Sequence, residues 1–239
     1  MGLLDLFLSE EKRIHRHIRR LTNRDAQPED REASAHWLLA NRSRPALMGL
    51  LSRFDMNLDH QFKDANEKEF LFGLLSSLGD EGIEPTQAWL RQCKQFANPL
   101  RLLEDLAGRQ AAVDSAFEML EIEYAKDDFK PEKKKALLVW ATDVRDPRFL
   151  ELAAKFLQDF DEGVRYAAAE VTIAQESDEA RLPLLRTVAN PKEESIRLKV
   201  RIAEVFASRR WSITEEAEDL AAGLPPGFEI KGDRLVSKR

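Results

Sequence analysis

Two stretches of this chain repeat one phrase. Asp161-Glu-Gly-Val-Arg-Tyr-Ala-Ala-Ala-Glu-Val-Thr-Ile-Ala and Glu193-Glu-Ser-Ile-Arg-Leu-Lys-Val-Arg-Ile-Ala-Glu-Val superpose when Val164-Arg165 is laid on Ile196-Arg197, 32 residues apart. A period of that length constrains the fold more than any other feature. It belongs to stacked supersecondary units, none of which buries its apolar face without a neighbour.

The rest of the chain can be divided on the same plan. Pro28 and the acids Glu29 and Asp30 suit the first turn of a helix running to residue 40. The segment 41–45 breaks it, and a second helix follows over 46–54. Arg31 stands in this divergent copy where Arg165 and Arg197 stand later, with Lys68 at the matching place of the next. Residues 55–65 read as a connection longer than usual. Helical pairs are then expected at 66–78 with 85–96, 99–107 with 110–126, 131–142 with 147–160, 163–174 with 179–188, and 192–207 with 213–222. With 28–54 this makes six pairs. Gly79, Gly82 and Gly108, and prolines at 85, 99, 131 and 147, supply the stops and starts.

Both ends depart from the repeat. Residues 3–22 read as an amphipathic helix with Leu4, Phe7, Leu8, Ile14, Ile18 and Leu21 on one face. Its second half is basic (Lys12, Arg13, Arg16, Arg19, Arg20, then Arg24). Either it caps the first repeat, or it docks on an acidic partner or an anionic membrane surface. At the other end, residues 225–239 leave the helical pattern. Phe228-Glu-Ile-Lys-Gly-Asp-Arg-Leu-Val can turn at Gly232-Asp233 into a short hairpin, too small to stand alone, that lies on the last helices or frays.

Composition supports helices and excludes some functions. Charged residues make up 33% and Gly and Pro number only 10 each, a helix-compatible mixture poor in material for strands. Cys93 is the single cysteine, so no internal disulfide forms, which fits a reducing compartment. With no secretory signal or spanning segment legible, the expected location is cytoplasmic. Between Glu104 and Asp128 eight acids face Arg109 and Lys126, so this segment carries the whole net charge of -6. Such a girdle disfavours nucleic acid, whose binding rests on clustered Lys and Arg.

The phrase at 161, with Asp146-Pro-Arg-Phe-Leu-Glu-Leu-Ala-Ala-Lys-Phe-Leu before it, resembles a HEAT repeat, in the short bacterial form also seen in phycobilisome-lyase-type HEAT-like proteins. The match is strong over 131–208, weaker over 27–97 and only inferred between. The resemblance implies an all-α, right-handed α-solenoid of about six hairpins over 1–224. In that family the Arg position forms a ladder, each base meeting a turn acid or backbone carbonyl of the neighbouring unit. This implies structural roles for Arg31, Lys68, Arg165 and Arg197. It also implies a concave, second-helix face that receives a protein partner, and no chemistry.

Basic residues expected on second helices, Arg53, Arg91, Lys94, Arg148, Lys155, Arg181 and Arg186, are candidates for that face or for a merely solvated one. Trp211, beside Arg209 and Arg210, is a candidate exposed anchor, whereas Trp37, Trp89 and Trp140 read as core. His15 and His17 diverge on a helix, and His36 and His60 are isolated, so no metal site and no cofactor is expected. Cys93 has no His partner in view. The leading expectation is therefore a non-catalytic adaptor for another protein. The alternative is a HEAT-like DNA-binding protein or DNA glycosylase, for which Trp140, Asp143 and Arg148 form the nearest grouping. A chromophore-lyase role rests on repeat similarity alone.

Overall fold

The computed structural model describes residues 9–126 and 130–238. Leu4, Phe7 and Leu8 of the expected N-terminal helix, and Asp127 and Asp128 of the acidic segment, lie outside them. Among the described residues the chain is helical apart from one two-stranded ribbon. It divides into two compact units, one up to Met119 and one from Leu120 onward.

The first unit contains α1 (Glu10–Leu21), α2 (Pro28–Asn41), α3 (Arg44–Leu51), α4 (Gln61–Ser76), α5 (Ile83–Leu90) and α6 (Ala97–Ala107). The helix α7 (Arg109–Ala125) carries the chain from this unit into the next. Alternate helices pack on one another: α2 on α4, α4 on α6, and α3 on α5. Leu38, Leu50, Leu51, Leu71 and Leu75 form the centre of its core. Its first helix docks at home, because α1 packs on both α2 and α3 with Ile14 and Leu21 buried. Gly49 of α3 permits the approach, since a Cβ there would fall inside the Ile18 side chain.

The second unit contains α8 (Pro131–Ala141), α9 (Pro147–Phe156), α10 (Glu162–Ala174), α11 (Arg181–Ala189), α12 (Ile196–Arg209) and α13 (Ala217–Ala222). Here α10 packs on α8, α9 and α12, while α11 packs on α12 and α13. Ala167, Ala168 and Ala169 on α10 are all buried, and their small size lets the neighbours come close. The chain ends in β1 (Phe228–Lys231) and β2 (Arg234–Ser237), antiparallel, with Gly232 and Asp233 in the turn. The ribbon is fastened rather than frayed. Phe228 and Leu235 are buried, β2 packs on α12, and the Ile213 N–H donates to the Asp233 carbonyl at 2.8 Å.

Several expected boundaries move: the helix placed at 147–160 ends at Phe156, the one placed at 213–222 begins at Ala217, and three others shift for visible reasons. The helix placed at 66–78 begins at Gln61, so the connection before it is short. Phe62 had been hidden from the periodicity because it points outward, at 71% exposure. The helix placed at 85–96 stops at Leu90. There the Asp55 carboxylate accepts the N–H groups of Lys94 and Gln95 and holds a turn. The helix placed at 192–207 begins only at Ile196, because Ser195 caps it by accepting the Leu198 N–H.

Candidate functional site

That last cap changes the repeat register. Asp161 caps α10 by accepting the Val164 N–H at 3.0 Å, as Ser195 does for Leu198 at 3.1 Å. Val164 therefore corresponds to Leu198, and both are wholly buried, whereas Ile196 is 63% exposed. The structural period here is 34 residues, from cap 161 to cap 195, and not 32. Superposing Arg165 on Arg197 is a two-residue slip, encouraged by the shared Val/Ile-Arg dipeptide.

In the corrected register one polar rung recurs in the second unit. A base four residues after the cap of one first helix meets an acid two residues before the cap of the next. Lys134 on α8 pairs with Asp159 at 3.4 Å, both side chains being almost fully buried. Arg165 on α10 grips Glu193 through Nε at 2.7 Å and Nη2 at 2.9 Å. Each acid also accepts the N–H of the following cap: Asp159 from Asp161 at 2.9 Å, Glu193 from Ser195 at 2.8 Å. The Nη1 of Arg165 donates to the carbonyls of Asp159 and Phe160. Burial alone would push the Glu193 carboxyl up, but the Arg165 and Ser195 donors outweigh it and hold the group below its ordinary value. Lys134, Asp159 and Glu193 were not singled out in the sequence. The signal that would find them is the spacing from the caps.

Arg197 stands off this ladder. It is exposed, donates to the Glu162 carboxylate at 2.9 Å, and lies over the Tyr166 ring at 4.2 Å. Arg31 does stand four residues after its cap, and its Nη1 donates to the carbonyls of Asn23, Arg24 and Ala26. Its acid, however, is Glu67 within α4, gripped through Nε at 3.0 Å and Nη2 at 2.6 Å. Lys68 belongs to the same cluster, donating to Asp64 at 2.7 Å and to Asn57.

Arg53 completes that cluster and corrects its own assignment. It was expected on a partner face but is 1% exposed. It donates to Asp64 at 2.9 Å, Glu67 at 3.0 Å and the Met56 carbonyl. The acid that draws it inward comes from residues read as loop, which is why the sequence hid it. Beside the cluster a cleft of about 230 Å³ opens between α2 and α4, walled by Leu21, Pro28, Ala35 and Phe70.

Trp211 is corrected as well. It is 8% exposed, edge-on to Phe206, and its indole N–H donates to Asp178 at 3.1 Å, so it is an interior residue and no anchor. Arg181 is tied to Glu215 and the Ser212 carbonyl, and this pairing holds the Glu215 carboxyl down at about 2. Arg91 pairs with Glu118 at 2.7 Å. The four remaining candidates are exposed: Lys94 in the turn after α5, Arg148 and Lys155 on one stripe of α9, and Arg186 on α11. Arg148 is engaged by Asp146 at 2.6 Å, Lys155 lies 3.7 Å from Glu151 and over the Tyr124 ring at 5.9 Å, and Arg186 makes a long contact to Glu216.

Two residues of the glycosylase grouping can be placed. Arg148 is fastened to Asp146, and Asp143 is exposed with its N–H turned back to the Trp140 carbonyl. Among the described residues no group of His, Cys, Asp and Glu is placed to hold a metal ion, and no helix is long and apolar enough to cross a membrane. No family model, curated protein or solved structure matches the chain.

Proposed function

We propose that this chain is a non-catalytic, HEAT-type helical-repeat scaffold, a right-handed α-solenoid, that binds another protein through its second-helix face. What carries the reading is the recurring rung, Lys134 with Asp159 and Arg165 with Glu193, spaced by whole hairpins in the second unit. Ion pairs that join one hairpin's first helix to the loop of the next are what a stacked array needs, because each unit is stable only against its neighbour. Packing of α8 on α10 and α10 on α12 supports the same arrangement.

On this reading the contact surface includes Arg148 and Lys155 of α9 and Arg186 of α11, whose charges select an acidic partner. The test is crosslinked affinity capture with wild type and with the variant Arg148→Glu, Lys155→Glu, Arg186→Glu. One partner is expected with wild type and not with the variant, at unchanged melting temperature. Equal capture by both, or no specific partner, overturns the proposal.

A further inference from the structure

The cleft between α2 and α4 goes beyond the scaffold reading, since it lies between first helices and not on the second-helix face. It belongs wholly to the first unit. Within its lining Arg31 on α2 grips Glu67 on α4, and Arg53 joins them from the turn after α3. One helical turn farther along stand Ala35 on α2, and Phe70 and Leu71 on α4. A charged patch is therefore set beside an apolar wall. Contacts inside the chain leave two demands of that patch unmet. The Arg53 Nε is buried and has no acceptor, although its Nη1 and Nη2 and every guanidinium nitrogen of Arg31 have one. A buried donor without an acceptor is costly, the more so on a charged group, and native structures keep few of them.

The second demand is charge. The cations Arg31, Arg53 and Lys68 outnumber by one the acids Asp64 and Glu67 that bind them. Glu32, the remaining acid of the lining, is exposed and stands 3.9 Å from His36, so water screens its charge. Both demands are met by an anionic acceptor, and the wall suits an apolar body. The volume of about 230 Å³ lies below the ~300–1,000 Å³ of sites for drug-sized molecules, so the body is small. We propose that the cleft binds a small carboxylic acid with an aromatic or short alkyl body. The carboxylate accepts the Arg53 Nε–H, and the body lies against Phe70 and Ala35. A bare inorganic anion leaves the wall unused, and a neutral amphiphile leaves the extra cation unmatched.

The test titrates the full chain with phenylacetate, hexanoate, phenylacetamide and acetate, followed by nitrogen-15 NMR that includes the arginine Nε–H signals. Phenylacetate or hexanoate is expected to bind saturably and to shift the Arg53 Nε–H signal together with amides of α2 and α4. Arg53→Lys identifies that signal by its loss; where this variant does not fold, through-bond assignment of the wild-type signal reads the same contact. Phenylacetamide and acetate should each bind about tenfold more weakly than phenylacetate, one lacking the charge and the other the body. Phe70→Ala, at an exposed position, should weaken phenylacetate about tenfold at unchanged melting temperature. Absence of saturable binding by either acid overturns the proposal and leaves the Nε to water alone. So does binding that leaves the Arg53 Nε–H signal unmoved, equal binding of phenylacetate and its amide or acetate, or a Phe70→Ala protein that binds as wild type does. Tighter binding of a peptide ending in phenylalanine than of either acid would assign the cleft to a polypeptide terminus instead.

Discussion

Glu67 accepts from two guanidinium groups that are themselves almost wholly withdrawn from water, Arg31 at 5% and Arg53 at 1% side-chain exposure. Removing one member of such a set leaves buried charge uncompensated, which is the expensive way to break an ion pair. Glu67→Gln is therefore expected to cost about 2–3 kcal/mol, below the range for a fully buried pair because Glu67 keeps some contact with water. Arg197→Ala, at an exposed pair, is expected to cost less than about 1 kcal/mol. Urea unfolding of the two variants checks the contrast. Acid should act on the same groups. Burial pushes the Asp64 and Glu67 carboxyls up, yet the hydrogen bonds from Lys68, Arg31 and Arg53 prevail, so both lie below their ordinary values in the folded chain. Their stabilisation is complete above the unfolded value, which is 4.5 for Glu67, and is lost as pH falls through the depressed native values. Melting temperatures followed into acid should show the gap between wild type and Glu67→Gln narrowing. The sequence exposed Arg31 and Arg165 as special positions through the repeat. It could not reveal that Arg53 is buried, because that depends on the Asp64 carboxylate, which comes from a helix turn that reads as loop. Nor could it bury Trp211, whose partners Asp178 and Phe206 lie on separate elements.

At the scale of elements, helix positions were legible wherever apolar residues recur at three and four and proline or glycine marks an end. Register was less so. The dipeptides Val164-Arg165 and Ile196-Arg197 look alike, but only the capping hydrogen bonds of Asp161 and Ser195 fix which residues face inward. Two glycines carry sharper demands. Gly108 separates α6 from α7 at φ 84° and ψ 168°, a region closed to side-chain-bearing residues. Gly108→Ala should cost about 1–3 kcal/mol through that backbone alone, although open space surrounds the site. Thermal melting should register it. Gly49 is demanding for the opposite reason: its backbone is ordinary helix, and it is the Ile18 side chain that fills the space. Gly49→Leu should overpack the contact by about 1–3 kcal/mol and release α1. Limited trypsinolysis should then cut after Arg19, Arg20 and Arg24 faster than in wild type, while cleavage within α8 to α12 stays unchanged.

For the molecule as a whole, the division at Met119 and Leu120 falls inside α7 and leaves a separate core on each side. One centres on Leu38, Leu51 and Leu75, the other on Phe149, Val164, Leu184 and Ile202, all buried. In arrays held together by nearest-neighbour contacts, a local loss of stability opens the elements around it first. Glu67→Gln should accordingly raise amide hydrogen exchange across α2 to α6 and leave the best-protected amides of α8 to α12 near their wild-type rates. Ile202→Ala empties a fully buried position and should cost about 2–5 kcal/mol. Its effect should be the reciprocal one, loosening α10 to α12 together with the β1–β2 ribbon that packs on α12. Exchange read by mass spectrometry on both variants, under conditions where each remains folded, tests the pair. If either substitution accelerates exchange equally in both halves, the chain opens as one cooperative body. Its stability would then belong to the full stack of helices, not to the two cores taken separately.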